Sequence, residues 1–429
     1  MSAEFFFIGG GARITLELTA RVASGANTDT YNFADVPIGE PAEDRIVVVA
    51  AIQTASDNFA SGALIRINGV TANSIAGFTL GGVRNIAGIS FLPVPTGATA
   101  DISVDIFGGN DCTIYVFILR GAASPWPFAE GYVSTSGASS SLTLSIPRSG
   151  LALYVGGQQN SATASWSHAT VIADGTVENR YTSAASRVAR HDLIDEVETR
   201  SWTGNALGSL IGISWQSKAA RYPILHGRQI SGTSLDNTAT TFNVPILGGE
   251  VGDIILIVAS VQANAARTIS APSGWIELYT GVGGGNMRRQ SAFYRIADGT
   301  EGANVTLSAS GASRWMIVSY RVGKHHGAIE AGTPATGNSS AATPPNLSPS
   351  WGMKPTLWIA VAADTANVLD RAGWPSGFCL PQSGIQVFLG TVSLRAHCAH
   401  RYQPVSSMSP GSFALGGSGQ WIANTIAIY

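Results

Sequence analysis

The densest group of side chains able to ligate a metal is His397-Cys398-Ala399-His400. Zinc takes four nitrogen or sulfur ligands, usually as spaced pairs. On an extended chain alternate residues share a face, so Cys398 and His400 could converge while His397 points away. Cys379 is the one evident third ligand. A strand at a polar edge accounts for the same residues without a metal. His325-His326 are adjacent, point apart on an extended chain, and read as part of a linker. The acidic run Asp192, Asp195, Glu196 and Glu198 places four carboxylates within seven residues. It lacks the spacing of an EF-type calcium loop. A glycosidase pair needs two carboxylates held across a cleft; the plain alternative is a solvated acidic loop.

Other chemistry finds no motif. No G-x-S-x-G marks a nucleophile elbow, and no G-x-x-x-x-G-K-[ST] marks a phosphate loop. Gly283–Gly285 lead into Asn286-Met287-Arg288-Arg289 without a helical pattern, so a dinucleotide fingerprint is unsupported. The reading is therefore non-enzymatic, with no cofactor and no metal. Two tryptophans, Trp126 and Trp202, fall outside the repeated positions described below, and are the candidates for stacking on a glycan or for an interface.

Whatever these residues do, strands must position them. The chain has 429 residues, 50 of them glycine, and 12% are charged, about half the usual share. Net charge is −2, so no basic face awaits nucleic acid. With 45% hydrophobic residues the chain is not a disordered one. Cys112, Cys379 and Cys398 are too few for a disulfide scaffold, and read as small core residues. The first residues, with Glu4 and then only Phe5–Ile8 before Gly9–Gly11, do not read as a signal peptide. The longest apolar runs, Ile46–Ile52 and Ile254–Ala259, are too short to span a bilayer.

Internal repeats organise the rest. Tyr31–Ala51 (YNFADVPIGEPAEDRIVVVAA) resembles Thr241–Ser260 (TFNVPILGGEVGDIILIVAS), with Asp44 and Asp253 lying 209 residues apart. Ile114–Arg120 parallels Met316–Arg321. A shorter offset of 103 brings Pro272–Trp275 onto Pro375–Phe378 and Ile254–Ser260 onto Leu357–Ala363. Leu151–Gly157 opens the remaining module and Trp166 sits where Trp374 would. The expected organisation is an N-terminal attachment segment (1–24) and four modules at 25–125, 131–217, 236–323 and 340–429. Linkers are expected at Gly121–Ser141, Lys218–Asn237 and Gly323–Pro349. Because they recur, Trp166, Trp275 and Phe378 read as core anchors.

Short β-branched and aromatic runs between turn residues dominate every module. Ile102–Phe107, Val305–Ser310 and Leu142–Ile146 alternate as half-buried strands, whereas Ile254–Val258 is apolar throughout, as a strand covered on both faces would be. Ala184–Val197 has some helical composition but no 3.6-residue period, and reads as a strand and an acidic loop. The fold class is all-β: tandem β-sandwich modules, jelly-roll or Ig-like, in two related halves of two modules each.

Within the third module, Gly252-Asp253, the Pro272–Trp275 turn, Phe293-Tyr294-Arg295 with Asp298-Gly299, Val305–Ser310 and Ile317–Arg321 follow one another. This pattern resembles a β-sandwich module of tailed-phage virion proteins, notably tail-fibre and tail-tip proteins. The likeness covers about a fifth of the chain well and reaches the other modules through the repeat; the first lacks the P-x-G-W turn. It implies a structural component of a phage or of a phage-derived gene transfer agent, a tail fibre or head spike, located in the virion and assembled in the host cytoplasm. Expected partners are other virion proteins, further copies of the chain and a cell-surface polysaccharide receptor, with neither nucleic acid nor membrane. A capsid-decoration or baseplate protein without a receptor role is the alternative, and a glycan-degrading tailspike a further one.

Overall fold

The computed structural model describes residues 14–26, 28–55, 64–78, 84–105, 109–159, 163–177, 180–219, 221–232, 239–263, 266–283, 288–365, 373–379 and 394–429. Of the sequence features read above, Glu4–Gly11, the end of the expected strand Ile102–Phe107 (Ile106-Phe107) and Gly284–Met287 lie outside these residues. Among the described residues the chain is all-β, without a helix, and its strands form antiparallel sheets in tandem β-sandwiches.

The first module contains β1 (Thr15–Ser24), β2 (Thr30–Pro37), β3 (Ile46–Ala55), β4 (Leu64–Ile67), β5 (Val70–Thr71), β6 (Asn73–Phe78), β7 (Arg84–Pro93), β8 (Thr99–Asp105) and β9 (Gly109–Arg120). They make one sheet ordered β1-β9-β3-β7-β6 and another ordered β2-β8-β4-β5. The second comprises β10 (Ala129–Ile146), β11 (Leu151–Gln158), β12 (Ala164–Trp166), β13 (Thr170–Val177), β14 (Arg180–Val188) and β15 (Leu193–Trp215). Its order is β10-β15-β11-β14-β13, with β12 paired to β15.

The third comprises β16 (Ile224–Gly232), β17 (Ala239–Pro245), β18 (Ile254–Gln262), β19 (Ile269–Ser270), β20 (Ile276–Val282), β21 (Arg288–Ile296) and β22 (Asn304–Gly323). Its order is β16-β22-β18-β21-β20, with β17 and β19 paired to β22. The fourth has β23 (Ile329–Ala331), β24 (Ala335–Ala342), β25 (Thr356–Asp364), β26 (Arg395–Gln403) and β27 (Phe413–Ile428), in the order β23-β27-β25-β26, with β24 on β27.

One strand order thus recurs: a module's first strand, its last, its apolar opening strand, then a later strand, β7, β14, β21 or β26 in turn. The last strand is long where it serves both sheets. In β22, Asn304–Ser308 pair with β17 while Arg314–Val322 pair with β18. Main-chain compactness divides the chain into two units, Met1–Ala220 and Arg221–Tyr429, each holding two modules.

Several stretches expected to be connections are strands. β10 begins in the Gly121–Ser141 linker, β16 lies within Lys218–Asn237, and β23 and β24 lie in Gly323–Pro349. β1 belongs to the segment 1–24 yet pairs along its length with β9. Each of these strands lines the edge of its module's last strand, so its backbone is satisfied by tertiary pairing that composition does not reveal. Ala184–Val197 forms the end of β14, a short turn and the start of β15.

The repeated turns match in detail. Trp275 N donates to Pro272 O and Phe378 N to Pro375 O, with Gly274 and Gly377 at φ +77° and +75°. Glycine takes this left-handed position at no steric cost. Trp275 and Phe378 then enter their sandwich cores. Trp166 and Trp374, half-buried, pack against the cores of the second and fourth modules.

The opening strands are covered on both faces. β11, β18 and β25 are buried at every residue, and β3 is buried over Ile46–Ile52. In β18, Ile255, Ile257, Ala259 and Val261 enter their own sandwich core; Ile254, Leu256, Val258 and Ser260 alternate to the other face. Within each unit that other face is closed by the neighbouring module. In the first unit Tyr115 and Thr182 share a hydroxyl hydrogen bond of 2.7 Å, and Arg180 pairs with Asp111. In the second unit Leu225 N donates to Tyr402 Oη at 3.2 Å, and Arg228 Nη1 lies 3.3 Å from His400 Nδ1.

Close approach of the sheets needs glycine at one point above all. A Cβ on Gly157 would lie 2.8 Å from Ile52 Cγ2. Gly157→Val should therefore destabilise the first unit by about 1–3 kcal/mol. Calorimetry should show its unfolding transition lowered, with that of Arg221–Tyr429 unchanged; an unaltered first transition contradicts the stacking.

Candidate functional site

The ligand-like cluster on β26 is dispersed by its own strand. His397 Nε2 and Asp364 Oδ2 are 2.5 Å apart, and the Asp364 carboxylate also accepts from Arg395 Nε and Nη2 at 3.0 and 2.6 Å. Burial pushes the Asp364 carboxyl up, but the bonds from His397 and Arg395 outweigh it and hold it below the ordinary carboxylate range. His400 lies on the opposite side, edge-on to Tyr402 at 5.8 Å. Cys398 is fully buried, and desolvation raises its thiol. Cys379 meets His400 only through a backbone bond, Cys379 N to His400 O. Among the described residues no three His, Cys, Asp or Glu side chains are placed to hold a metal ion.

His325 and His326 diverge. His325 bonds to Gly252 O at 2.8 Å, while His326 stacks on Tyr429 at 4.4 Å. The acidic run also divides. Asp192 Oδ1 accepts from Arg148 N, and Asp195, at φ +53°, exchanges bonds with Ser145. Glu198 is fully buried in the second sandwich, where Oε1 accepts from Ser167 Oγ, His168 N and Ala169 N. The carboxylates of Glu196 and Glu198 are spanned by Arg187 at 3.7 and 4.0 Å.

Trp126 is half-buried, edge-on to Phe91 at 5.9 Å. Trp202 is 5% exposed, so its indole faces protein. Two residues before it on β15, and hence on the same face, stands Arg200, which is wholly buried. The Arg200 guanidinium carbon lies 5.3 Å from the centroid of Trp202 and 5.8 Å from that of Trp166. This is cation–π range for both rings. Arg200 Nε donates to Ser183 Oγ at 2.9 Å. Among the described residues its Nη1 and Nη2 have no hydrogen-bond partner, nor have the indole nitrogens of Trp166 and Trp202.

Glycines make the room. A Cβ on Gly156 would lie 2.7 Å from Arg200 Cδ, and one on Gly208 would lie 2.6 Å from Trp202 Cη2. Desolvation lowers the Arg200 pKa to about 10, so the side chain stays cationic at neutral pH. A desolvated charge without a counterion costs on the order of several kcal/mol. The arrangement therefore suits holding an acceptor-bearing group, not moving a proton. The alternation E-x-R-x-W over Glu198–Trp202 was the available sequence signal for Arg200. It predicts a shared face, but it does not predict which charge keeps a partner.

No protein family, curated protein or solved structure matches the chain.

The Asp364 ion pairs give a test of the second unit. Asp364→Asn leaves Arg395 buried beside a neutral partner, and should cost about 3–5 kcal/mol. Because the folded carboxyl titrates below its unfolded value, its contribution is complete above the unfolded pKa and fades as pH falls through the folded one. The gap in unfolding free energy between wild type and Asp364→Asn should be constant from about pH 5 to 7 and close below about pH 4; a gap that widens in acid contradicts this assignment.

Proposed function

We propose that this chain is a non-enzymatic structural protein of a phage or phage-like particle, a fibre or spike that binds cell-surface polysaccharide. The observation that carries the reading is the Trp166–Arg200–Trp202 cluster, a cation between two indoles with its outer N–H groups unpartnered among the described residues. Aromatic faces suit the C–H faces of sugar rings, and free donors suit their oxygens. The tandem sandwiches support the particle assignment, since repeated modules stacked through both faces suit a rigid external component. The sequence pattern of Val251–Gly323 points the same way.

Purified protein should adhere to cells susceptible to the particle and block particle attachment; failure of both overturns the receptor role and leaves a decoration or baseplate protein. Incubation with purified surface polysaccharide should leave its molecular mass unchanged. A fall in mass that Asp192→Asn or Glu196→Gln prevents overturns the non-enzymatic reading.

A further inference from the structure

We infer that the second sandwich carries a binding site for the carboxylate of an acidic sugar, built on Arg200 between Trp166 and Trp202. This rests on the polysaccharide reading and names the sugar class. The argument is one of unmatched donors. Arg200 Nη1 and Nη2, Trp166 Nε1 and Trp202 Nε1 are all buried, all donors and all without acceptors among the described residues. The one hydrogen bond that the guanidinium makes there, Nε to Ser183 Oγ, fixes its plane and leaves both outer nitrogens unused.

No carboxylate of the described residues forms an ion pair with Arg200; Glu198, on the same face, is engaged by Ser167, His168 and Ala169. A fixed guanidinium with both outer nitrogens free is a planar fork, and a carboxylate is the anion that matches it two bonds at a time. Trp166, half-exposed, offers apolar ring surface beside the cation for the attached ring. A neutral sugar would leave the charge uncompensated.

The cover on this side is thin. Trp166 is half-exposed on β12, a strand of three residues held to β15 by the pairs Ala164–Trp202, Ser165–Ser201 and Trp166–Arg200. Thr163, Ser165, Ser167 and His168 beside it are exposed. On this proposal a ligand reaches the guanidinium by displacing the Trp166 ring, which belongs to this short strand. Gly156 and Gly208 keep the floor free of Cβ atoms.

The experiment is an NMR titration of the full chain, ¹⁵N-labelled at tryptophan, with sodium D-glucuronate, D-glucose and sodium sulfate in parallel. Glucuronate should shift the Trp166 and Trp202 indole N–H resonances saturably. Glucose should not, and sulfate should act at least about tenfold more weakly, since it fits the planar fork less well. Arg200→Met should abolish the shift, whereas Trp126→Phe should leave it intact. If Arg200→Met fails to fold, Trp166→Phe, at a half-exposed position, should still weaken glucuronate binding severalfold.

Absence of a saturable shift, equal response to glucose, or sulfate matching glucuronate overturns the site. Glucuronate binding without adhesion to cells overturns the receptor role alone. Adhesion that persists in Arg200→Met, with no glucuronate response in wild type, overturns this site alone.

Discussion

Burial of the opening strands on both faces is the constraint on which the rest of the structure depends. β3, β11, β18 and β25 each lie inside a sandwich on one side and against a second sandwich on the other. A fully buried Val, Leu or Ile contributes about 1.5–3 kcal/mol, so these strands anchor two cores at once. The same stacking forbids stray polar atoms, because an unpaired buried donor or acceptor costs about 1–3 kcal/mol. Some polar residues on the stacked faces are paired with one another. Tyr279 Oη donates to Gln290 Oε1 and Gln290 Nε2 to Ser260 Oγ. Burial raises the Tyr279 hydroxyl far above the ordinary tyrosine range and keeps it a neutral donor.

Some of the charges are spent inside. Arg45, wholly buried, donates to four backbone carbonyls, those of Val94, Ile38, Gly39 and Thr96, and so ties two loops together. The repeat keeps one of these devices while changing its surroundings. Arg120 Nη2 donates to Glu40 O and Arg321 Nη2 to Glu250 O, each clamping the Gly-Glu turn of its module from the end of the closing strand. In the third module Asp253 adds a buried ion pair to Arg321 at 2.9 Å. Asp44, its counterpart in the first, accepts instead from Gly121 N.

Against that background Arg200 stands apart. Arg45, Arg321 and Arg395 are buried with acceptors already in place, and the cost of desolvation is met within the fold. Arg200 is held as firmly, by two indoles, Ser183 and two glycines, but only one of its nitrogens is satisfied among the described residues. The bond to Ser183 fixes the guanidinium plane in advance, whereas the Trp166 ring must move for an acceptor to arrive.

What could be read from the chain was local. Alternation over Val305–Ser310, the unbroken apolar run of Ile254–Val258 and the P-S-G-aromatic turns depend on backbone geometry within a few residues, and each forms as the pattern requires. The two offsets located the two-module halves because duplicated local patterns fold alike. The first part of β10 and the whole of β24 carry no strand signal, because Ser, Gly and Ala have little β preference and pair only where a long neighbouring strand offers its edge.

The candidate site was half legible. Trp202 drew attention by falling outside the repeat; Arg200 did not, and the apparent ligand set at His397–His400 dispersed onto opposite faces. The sequence by itself determined strand periodicity, turn positions and modular repetition, since these are set by neighbours along the chain. Only the tertiary structure decided which faces meet, which charges are neutralised and which donors stay empty. Those outcomes depend on residues such as Gly156, Trp166 and Ser183, brought to Arg200 from β11, β12 and β14 by the closing of the sandwich.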